Sequence, residues 1–391
     1  MKDPDKKLRL LRLATSACCS SIWEKFGNFR MFEQDWIEGL SEFNLRVYPN
    51  GTFNGFFKYA DNFMIYEISR NGIFKVLLPL LLFFKAAYLI RKFKINVVHS
   101  NDIYFFGLPL LVAAKLCGKP FCVSIHANHK KRNELDSAFI PHFMGLSFPA
   151  KWSERIIYRY ADLVLPIRDS IAEEIISPSC PERKIRIFPH VFDFDDFDKL
   201  ERPDVKTLYG IPENASLIVH AGRLARDNYA SDIADIAIKV CESDDKAYFI
   251  LCGTGPEEKT MKDKVKVAGF EDRILFPGNV SNDIVFELRK QCSVNLCLMA
   301  GFSLIEACAG GRPVISYNVE WHHELVKDNE TGFLLMENDT GAVIEKIRYI
   351  LDNPEKAATM GRRARELAVE RHSPQNVNKI KSEIYRELLA L

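Results

Sequence analysis

This sequence of 391 residues lacks cysteines at the spacing of a metal site, and it also lacks a signal-peptide-like beginning and a long apolar run. Its ten cysteines are scattered, and no two of them have the C-x-x-C spacing of metal or redox sites. This distribution argues against a disulfide-stapled secreted domain and predicts a reduced, cytoplasmic protein whose cysteines behave as small apolar residues. Residues 1–12 are charged and contain no apolar core, so we expect no cleaved secretory signal.

An excess of charge of one sign is also missing. The sequence has 53 basic and 52 acidic residues, which leaves a formal net charge of +1. Such a chain has no global field that attracts nucleic acid, and we expect none as a partner. Hydrophobic residues make up 47% of the sequence, which is ordinary for globular proteins, and the length corresponds to about two domains with separate cores.

The most apolar stretch, Phe74–Ile90, is interrupted by Pro79 and by two lysines and is too short for a confident membrane span. A basic run, Arg91–Lys94, follows it. Two interpretations stay open: a buried helix with a charged end, or an interface-lying element in peripheral contact with the inner face of a membrane. A second basic run, Asn128–Arg132, indicates either contact with an anionic acceptor or lipid phosphate, or a solvated loop.

Short β-rich runs alternate with helical patterns along most of the chain. The pattern predicts, for example, a strand over Ser216–Ala221, a helix over Ser231–Cys241 and a strand over Ala247–Cys252. Such alternation is typical of parallel sheets with helices on both faces. We therefore predict two Rossmann-like, doubly wound domains facing across a cleft, with an acidic connector. The predicted bounds are residues 1–198, residues 199–375, and a C-terminal helix over residues 376–391 that packs back on the first domain.

Loops that follow strands are where ligands bind in such sheets, and the first such loop of interest begins at Gly222. Glycine lets the backbone turn sharply or approach a ligand, and Arg223 comes directly after it. A guanidinium at the end of a strand suits a diphosphate, because it donates paired hydrogen bonds to anionic oxygens. A structural salt bridge is the alternative for Arg223.

Two further glycine turns end strands downstream. Gly253 and Gly255 lie in a Gly-x-Gly-Pro turn, and Gly278 and Val280 follow the next strand. Backbone groups there are candidates for contact with the nucleotide, although an ordinary strand-to-helix turn has the same sequence features.

The fourth loop carries Gly301, Phe302, Ser303 and Leu304 into a helix that bears Glu306. A helix N-terminus offers unpaired N–H groups and a partial positive charge of about 0.5, which favours phosphate. Glu306, one turn in, is placed to accept hydrogen bonds from ribose hydroxyls or simply complements the helix dipole. With Arg223, this loop predicts a site for a nucleotide diphosphate.

These segments, in this order and spacing, resemble glycosyltransferase family 4 over roughly residues 90–375. The resemblance implies the GT-B fold and a retaining transferase that uses a nucleotide-sugar donor without an essential metal or other cofactor. The expected acceptor is a carbohydrate or glycolipid. By resemblance, Arg223 binds the diphosphate, Glu306 the ribose, and His126 lies at the donor–acceptor junction. Gly301 and Phe302 correspond to the turn under the donor phosphate and sugar.

Some positions depart from the family pattern. Asn228 stands where the family has a lysine, and Arg226 is the candidate substitute for its charge. The first of the two family glutamates is absent, since Ala300 precedes Gly301 and Leu298 lies eight residues before Glu306. These departures keep two alternatives open: a GT-B protein that binds a nucleotide sugar without transferring it, and a nucleotide-sugar epimerase. The D-x-D pattern within Asp193–Asp198 is interpreted as part of the connector and not as a metal site.

Overall fold

The computed structural model describes residues 7–14, 40–48, 55–60, 63–69, 74–126, 148–198 and 204–391. The chain divides into two compact units. The first comprises residues 1–191 and 374–391, and the second comprises residues 192–373. The domain bounds expected from the sequence remain predictions. The predicted basic loop Asn128–Arg132 lies outside the described residues.

The first unit is built on a seven-stranded sheet with the order β3-β4-β2-β1-β5-β6-β7. Every described pairing is parallel except that of β3 with β4, which is antiparallel at the edge. All residues of β5, β6 and β7 are buried, as expected for a parallel sheet covered on both faces. The strands are β1 Arg9–Ala14, β2 Ser41–Tyr48, β3 Gly55–Ala60, β4 Phe63–Ser69, β5 Val97–Ser100, β6 Phe121–Ile125 and β7 Leu163–Pro166.

The helices of the first unit connect and cover these strands. The carboxylate of Asp102 fixes the beginning of one of them, because its Oδ1 accepts from the backbone N–H groups of Tyr104, Phe106 and Gly107 at 2.9–3.0 Å. These helices are α1 Phe74–Lys92, α2 Gly107–Leu116, α3 Phe148–Tyr160 and α4 Asp169–Ile175.

The second unit is built on a six-stranded, wholly parallel sheet with the order β10-β9-β8-β11-β12-β13. Its central strands are buried along nearly their whole length, and β8 pairs with β9 from Ser216↔Ala247 to Ala221↔Cys252. The doubly wound parallel architecture predicted from the sequence is therefore confirmed. The strands are β8 Ser216–Ala221, β9 Ala247–Cys252, β10 Ile274–Gly278, β11 Val294–Leu296, β12 Val314–Tyr317 and β13 Gly332–Leu335.

Local signals in the sequence define the helix ends of the second unit. Ser281 and Asp339 occupy N-cap positions and accept from the N–H groups of Ile284 and Ala342, and Gly269 ends a helix at φ +77°. The helices are α5 Phe194–Asp198, α6 Val205–Leu208, α7 Ala230–Ser243, α8 Glu258–Ala268, α9 Asn282–Gln291, α10 Ser303–Ala309, α11 His322–Leu325, α12 Thr340–Asp352 and α13 Pro354–His372.

The last helix, α14 (Pro374–Ala390), belongs to the first unit. Its Tyr385 is fully buried against the sheet, where the hydroxyl accepts from Arg12 at 2.7 Å and lies 2.9 Å from Nδ1 of His99. Arg186 and Glu387 form a salt bridge of 2.7 Å nearby. These contacts attach the end of the chain to the first sheet.

Candidate functional site

The strand order of the second sheet has a reversal point. From β8 the chain proceeds outward through β9 and β10 on one side, and it then returns to place β11 on the other side of β8. In open α/β sheets, ligands bind beyond the carboxyl ends of the strands at such a point. The loops that leave β8 and β11 are those that contain Arg223 and Gly301, so the topology brings two of the predicted site segments to the same edge of the sheet.

The loop after β8 turns at Gly222, whose N–H donates to the carbonyl of Cys252 at 3.0 Å. Arg223 then projects into solvent with 62% of its side chain exposed, and it pairs loosely with Asp227 at 3.7 Å. An exposed pair of this kind is worth little, so the guanidinium is available to an anionic ligand at small cost. Arg226 is also exposed, in the short 3₁₀ turn Arg226–Asn228.

Asn228 links the two loops. Its side-chain amide donates to the carbonyl of Met299, in the segment between β11 and Gly301, at 3.4 Å. The residue that replaces the family lysine therefore makes a contact within the protein. This contact holds the Arg223 loop beside the Gly301 turn.

Gly253 and Gly255 are glycine for reasons of packing. A Cβ at Gly253 would lie 1.9 Å from the carbonyl oxygen of Gly222, and a Cβ at Gly255 would lie 2.1 Å from that of Leu224. The same two loops are joined by the hydrogen bonds Leu224 N–H to Thr254 O and Glu257 N–H to Leu224 O, each 3.0 Å long. The loop after β9 thus supports the loop that carries Arg223.

The loop after β10 lies beside the loop after β9. Gly278 adopts φ +72°, and its carbonyl accepts from the N–H of Gly253 at 2.8 Å. Val280 packs against a buried apolar cluster of this unit that includes Leu288. Contact of either residue with a ligand stays a prediction.

Gly301 has no atom within 4 Å of the position of a Cβ, so the turn is open there. Phe302 occupies the N-cap position of α10 without a side-chain cap, and Ser303 and Leu304 begin the helix. Glu306 lies in its first turn and is partly buried. Burial raises the pKa of its carboxyl above the ordinary value, while the positive charge of Arg289 opposes this rise.

Ala300, which stands before Gly301 where the family has a glutamate, lies in a buried environment. It is only 4% exposed and lies in an apolar cluster with Phe192 and Leu304. Its N–H donates to Nε2 of His322 at 3.1 Å, and its carbonyl accepts from the indole of Trp321 at 3.2 Å. A carboxylate at this buried position would lack solvation, so no acidic side chain extends from it toward a ligand.

A buried bridge, which the sequence did not reveal, connects the two halves of the site. Arg289 of α9 is fully buried and donates to the carbonyl of Ala221 at 3.1 Å and to Oδ1 of Asn295 at 3.0 Å. The amide of Asn295 donates in turn to the carbonyl of Ala307, in the helix that bears Glu306, at 3.3 Å. The bridge therefore holds the end of β8 and helix α10 in a fixed relation. A polar Asn295 inside an apolar strand was the one available signal for it.

His220 lies beneath the same edge. It is buried, and its Nδ1 donates to the carbonyl of Leu296 at 3.1 Å, which ties β8 to β11. Burial first, and then the charge of Arg289, lower its pKa to about 4, so the ring is neutral at pH 7.

His126 is the one predicted site residue in the first unit. It follows β6, is exposed, and its ring centroid lies 5.7 Å from that of His190. The remaining predicted residues all belong to the second unit.

The acidic run Asp193–Asp198 forms the short helix α5, with Phe194 and Phe197 buried and Asp198 paired to Arg365 at 2.5 Å. Within the described part of the chain, no group of three or more histidine, cysteine or acidic side chains is arranged to hold a metal ion.

Comparison with known proteins agrees with this architecture. Residues 59–196 match the family model described as Glycosyltransferase Family 4, and residues 201–367 match the one described as Glycosyl transferases group 1. The N-acetyl-alpha-D-glucosaminyl L-malate synthase of Bacillus anthracis is 28% identical over 233 residues, which cover 59% of this chain and 60% of that protein.

Solved structures share the fold over nearly the whole chain. HepE of Anabaena in complex with UDP has a TM-score of 0.74 and 15% identity, and the alignment covers 98% of this chain and 100% of HepE. HepE has also been solved with UDP-glucose. A sucrose-phosphate synthase from Thermosynechococcus elongatus has a TM-score of 0.76 and 17% identity, with coverage of 98% and 99%.

The two doubly wound sheets and the two matched families define a glycosyltransferase of the GT-B class. Within that class, the chain belongs to glycosyltransferase family 4, as the resemblance of its motifs had indicated.

Proposed function

We propose that this protein transfers a sugar from a UDP-sugar donor to a carbohydrate or glycolipid acceptor, with retention of configuration and without an essential metal. One observation carries the proposal. The exposed guanidinium of Arg223 and the helix that bears Glu306 lie on neighbouring loops at the reversal point of the second sheet. The choice of UDP is supported by HepE, which has the same fold and binds UDP and UDP-glucose.

In the proposed reaction, the donor's diphosphate leaves as negative charge develops on it. Arg223 donates paired hydrogen bonds to the charged oxygens, and the backbone at Gly301–Ser303 adds further N–H groups. Preorganised donors of this kind usually contribute the largest share of catalysis. The Glu306 carboxylate accepts hydrogen bonds from the ribose hydroxyls.

The other predicted residues have secondary roles in this proposal. Gly222, Gly253 and Gly255 keep the Arg223 loop close to the sheet, while Arg226 adds positive charge near the donor. Asn228 positions the Gly301 turn through Met299. Backbone groups at Gly278 and Val280 contact the base, Phe302 and Leu304 shape the pocket, and His126 serves the acceptor side. We assign no general base.

A protein that binds the nucleotide sugar without transferring it is the second candidate. It is favoured by Ala300, which is buried where the family has a glutamate, and by Asn228, which lacks the lysine charge. An epimerase that needs no acceptor is the third.

Incubation with a panel of nucleotide sugars, with and without glycan and glycolipid acceptors, separates these functions. We expect acceptor-dependent UDP release and a glycosylated product, detected by mass spectrometry. Arg223→Ala and Glu306→Ala should each reduce the rate on the order of a hundredfold. The matched control is Lys259→Ala, at an exposed position of the same unit. Unchanged rates in both site variants would overturn the assignment, and thermal stabilisation by a nucleotide without any product would establish a binding protein.

A further inference from the structure

Helix α1 of the first unit is apolar on both sides. Its inner side is buried in the core of the unit by Leu78, Leu82, Ala86, Leu89 and Ile90. Its outer side is also lined by large apolar residues, each between 40% and 60% exposed: Leu77, Leu80, Leu81, Phe84 and Tyr88. These positions follow the spacing i, i+3, i+4, i+7 and i+11, so they form one continuous stripe along the helix. We call these five residues the outer stripe.

Single exposed apolar residues are common on protein surfaces. A contiguous row of them usually marks an interaction site. The opposite side of the helix already packs in the core of the unit. Within the described part of the first unit, each residue of the outer stripe remains at least 40% exposed, and its apolar character points to an occupant outside that unit.

The charges around the stripe indicate the nature of that occupant. At the carboxyl end of the stripe, Arg91, Lys92 and Lys94 are all exposed. The ammonium of Lys92 lies 5.2 Å from the ring centroid of Tyr88, and that of Lys85 lies 5.5 Å from it. The sequence has no aspartate or glutamate between residues 74 and 101. An apolar row beside cations, with a tyrosine between them, is the pattern of helices that lie in the headgroup region of a membrane.

We propose that α1 docks on the surface of an anionic membrane, with the outer stripe inserted at the acyl boundary and Arg91, Lys92 and Lys94 on lipid phosphates. Among the described residues, no helix is long and apolar enough to cross a bilayer. The proposed contact is peripheral because the opposite side of α1 is buried in the core of the first unit. A second copy of this chain fits less well, because pairing the stripes in parallel would bring two sets of like charges together, and pairing them antiparallel would leave both sets of cations without an anionic partner. The proposal concerns lipid binding alone and does not depend on the proposed sugar transfer.

The test is sedimentation of the full chain with vesicles of phosphatidylcholine alone or with about one third phosphatidylglycerol, which gives the vesicles a negative surface potential. We expect binding to the anionic vesicles that weakens as salt is raised. The variant Leu80→Glu/Phe84→Glu should lower the partition coefficient about tenfold or more, because it removes inserted apolar area and adds repelling charge. The variant Arg91→Gln/Lys92→Gln/Lys94→Gln should lower it similarly on anionic vesicles only.

Two control variants lie in the second unit. Val267→Glu replaces another highly exposed apolar residue, and Lys259→Gln/Lys266→Gln removes exposed cations. Both should bind vesicles like the unaltered protein. Melting temperature and UDP affinity are measured for every variant, so that misfolding is recognised. Equal partition of the stripe and control variants would overturn the proposal. So would a concentration-dependent dimer that Leu80→Glu/Phe84→Glu dissociates in the absence of any vesicle binding, because the occupant would then be a second copy.

Discussion

At the scale of single residues, the site depends on buried charges as much as on exposed ones. Arg223 is exposed and was identified from its motif, whereas Arg289 is buried and was not. In the sequence, Arg289 lies in the charged run Glu287–Lys290, which has the appearance of a solvated helix face. Only the packing of α9 against β8 and β11 turns this side chain inward, and no local pattern encodes that contact.

The position of Arg289 leads to a prediction about the pH dependence of UDP binding. Burial raises the pKa of Glu306 and the charge of Arg289 opposes the rise, so Arg289→Met should raise that pKa further. The ionised carboxylate accepts more strongly from ribose hydroxyls than the protonated carboxyl does, so UDP affinity should fall on acidification at a higher pH in Arg289→Met than in the unaltered protein. Calorimetric titrations across pH 5–8 measure this shift, and the nucleotide's own titration is common to both proteins.

Arg273→Met provides the control for lost stability. Arg273 is also a largely buried arginine of the second unit that donates to backbone carbonyls, those of Asp244 and Cys241. It lies before β10, away from the carboxyl ends of the strands. If Arg273→Met and Arg289→Met change the pH dependence equally, Arg289 has no specific role in the site.

At the scale of elements, sequence patterns predicted strands better than the loops between them. The strands Ser216–Ala221 and Ala247–Cys252 have the predicted bounds, and the predicted helix between them extends by one or two residues at each end. Strand β11 is short and ends at Leu296. Beyond it, the chain turns toward Ala300, where Trp321 and His322 fix the backbone. That contact is distant in sequence, which is why a local pattern could not reveal it.

Replacement by alanine should affect the melting temperature differently at two glycines of the site loops. Gly255→Ala places a Cβ 2.1 Å from the carbonyl of Leu224, so the Arg223 loop must move and the melting temperature should fall by several degrees. Gly301→Ala meets no atom within 4 Å and should leave the melting temperature within about one degree. Differential scanning calorimetry without ligand makes the comparison. A larger loss in Gly301→Ala than in Gly255→Ala would contradict the described packing of these loops.

At the scale of the whole molecule, the alternation of strands and helices was enough to predict two doubly wound parallel sheets, because parallel strands require crossovers of this kind. The antiparallel edge strand β3 was not predicted, since Gly55–Ala60 lies in a stretch without a clear pattern. The anchoring of α14 through Tyr385 depends on Arg12 and His99, which lie more than 280 residues away along the chain. Family resemblance supplied the donor-site residues, and the fold then brought their loops to the reversal point of one sheet.

A calorimetric titration of UDP into the unaltered protein and into Arg223→Ala tests the placement of the donor site most directly. We expect one site per chain and a dissociation constant raised by about tenfold to a hundredfold in the variant, because a charge-assisted hydrogen bond is lost. Melting curves without ligand should coincide, because the Arg223 side chain is largely exposed. No binding of UDP to the unaltered protein, or equal affinity in the two proteins, would contradict the placement of the donor site at Arg223.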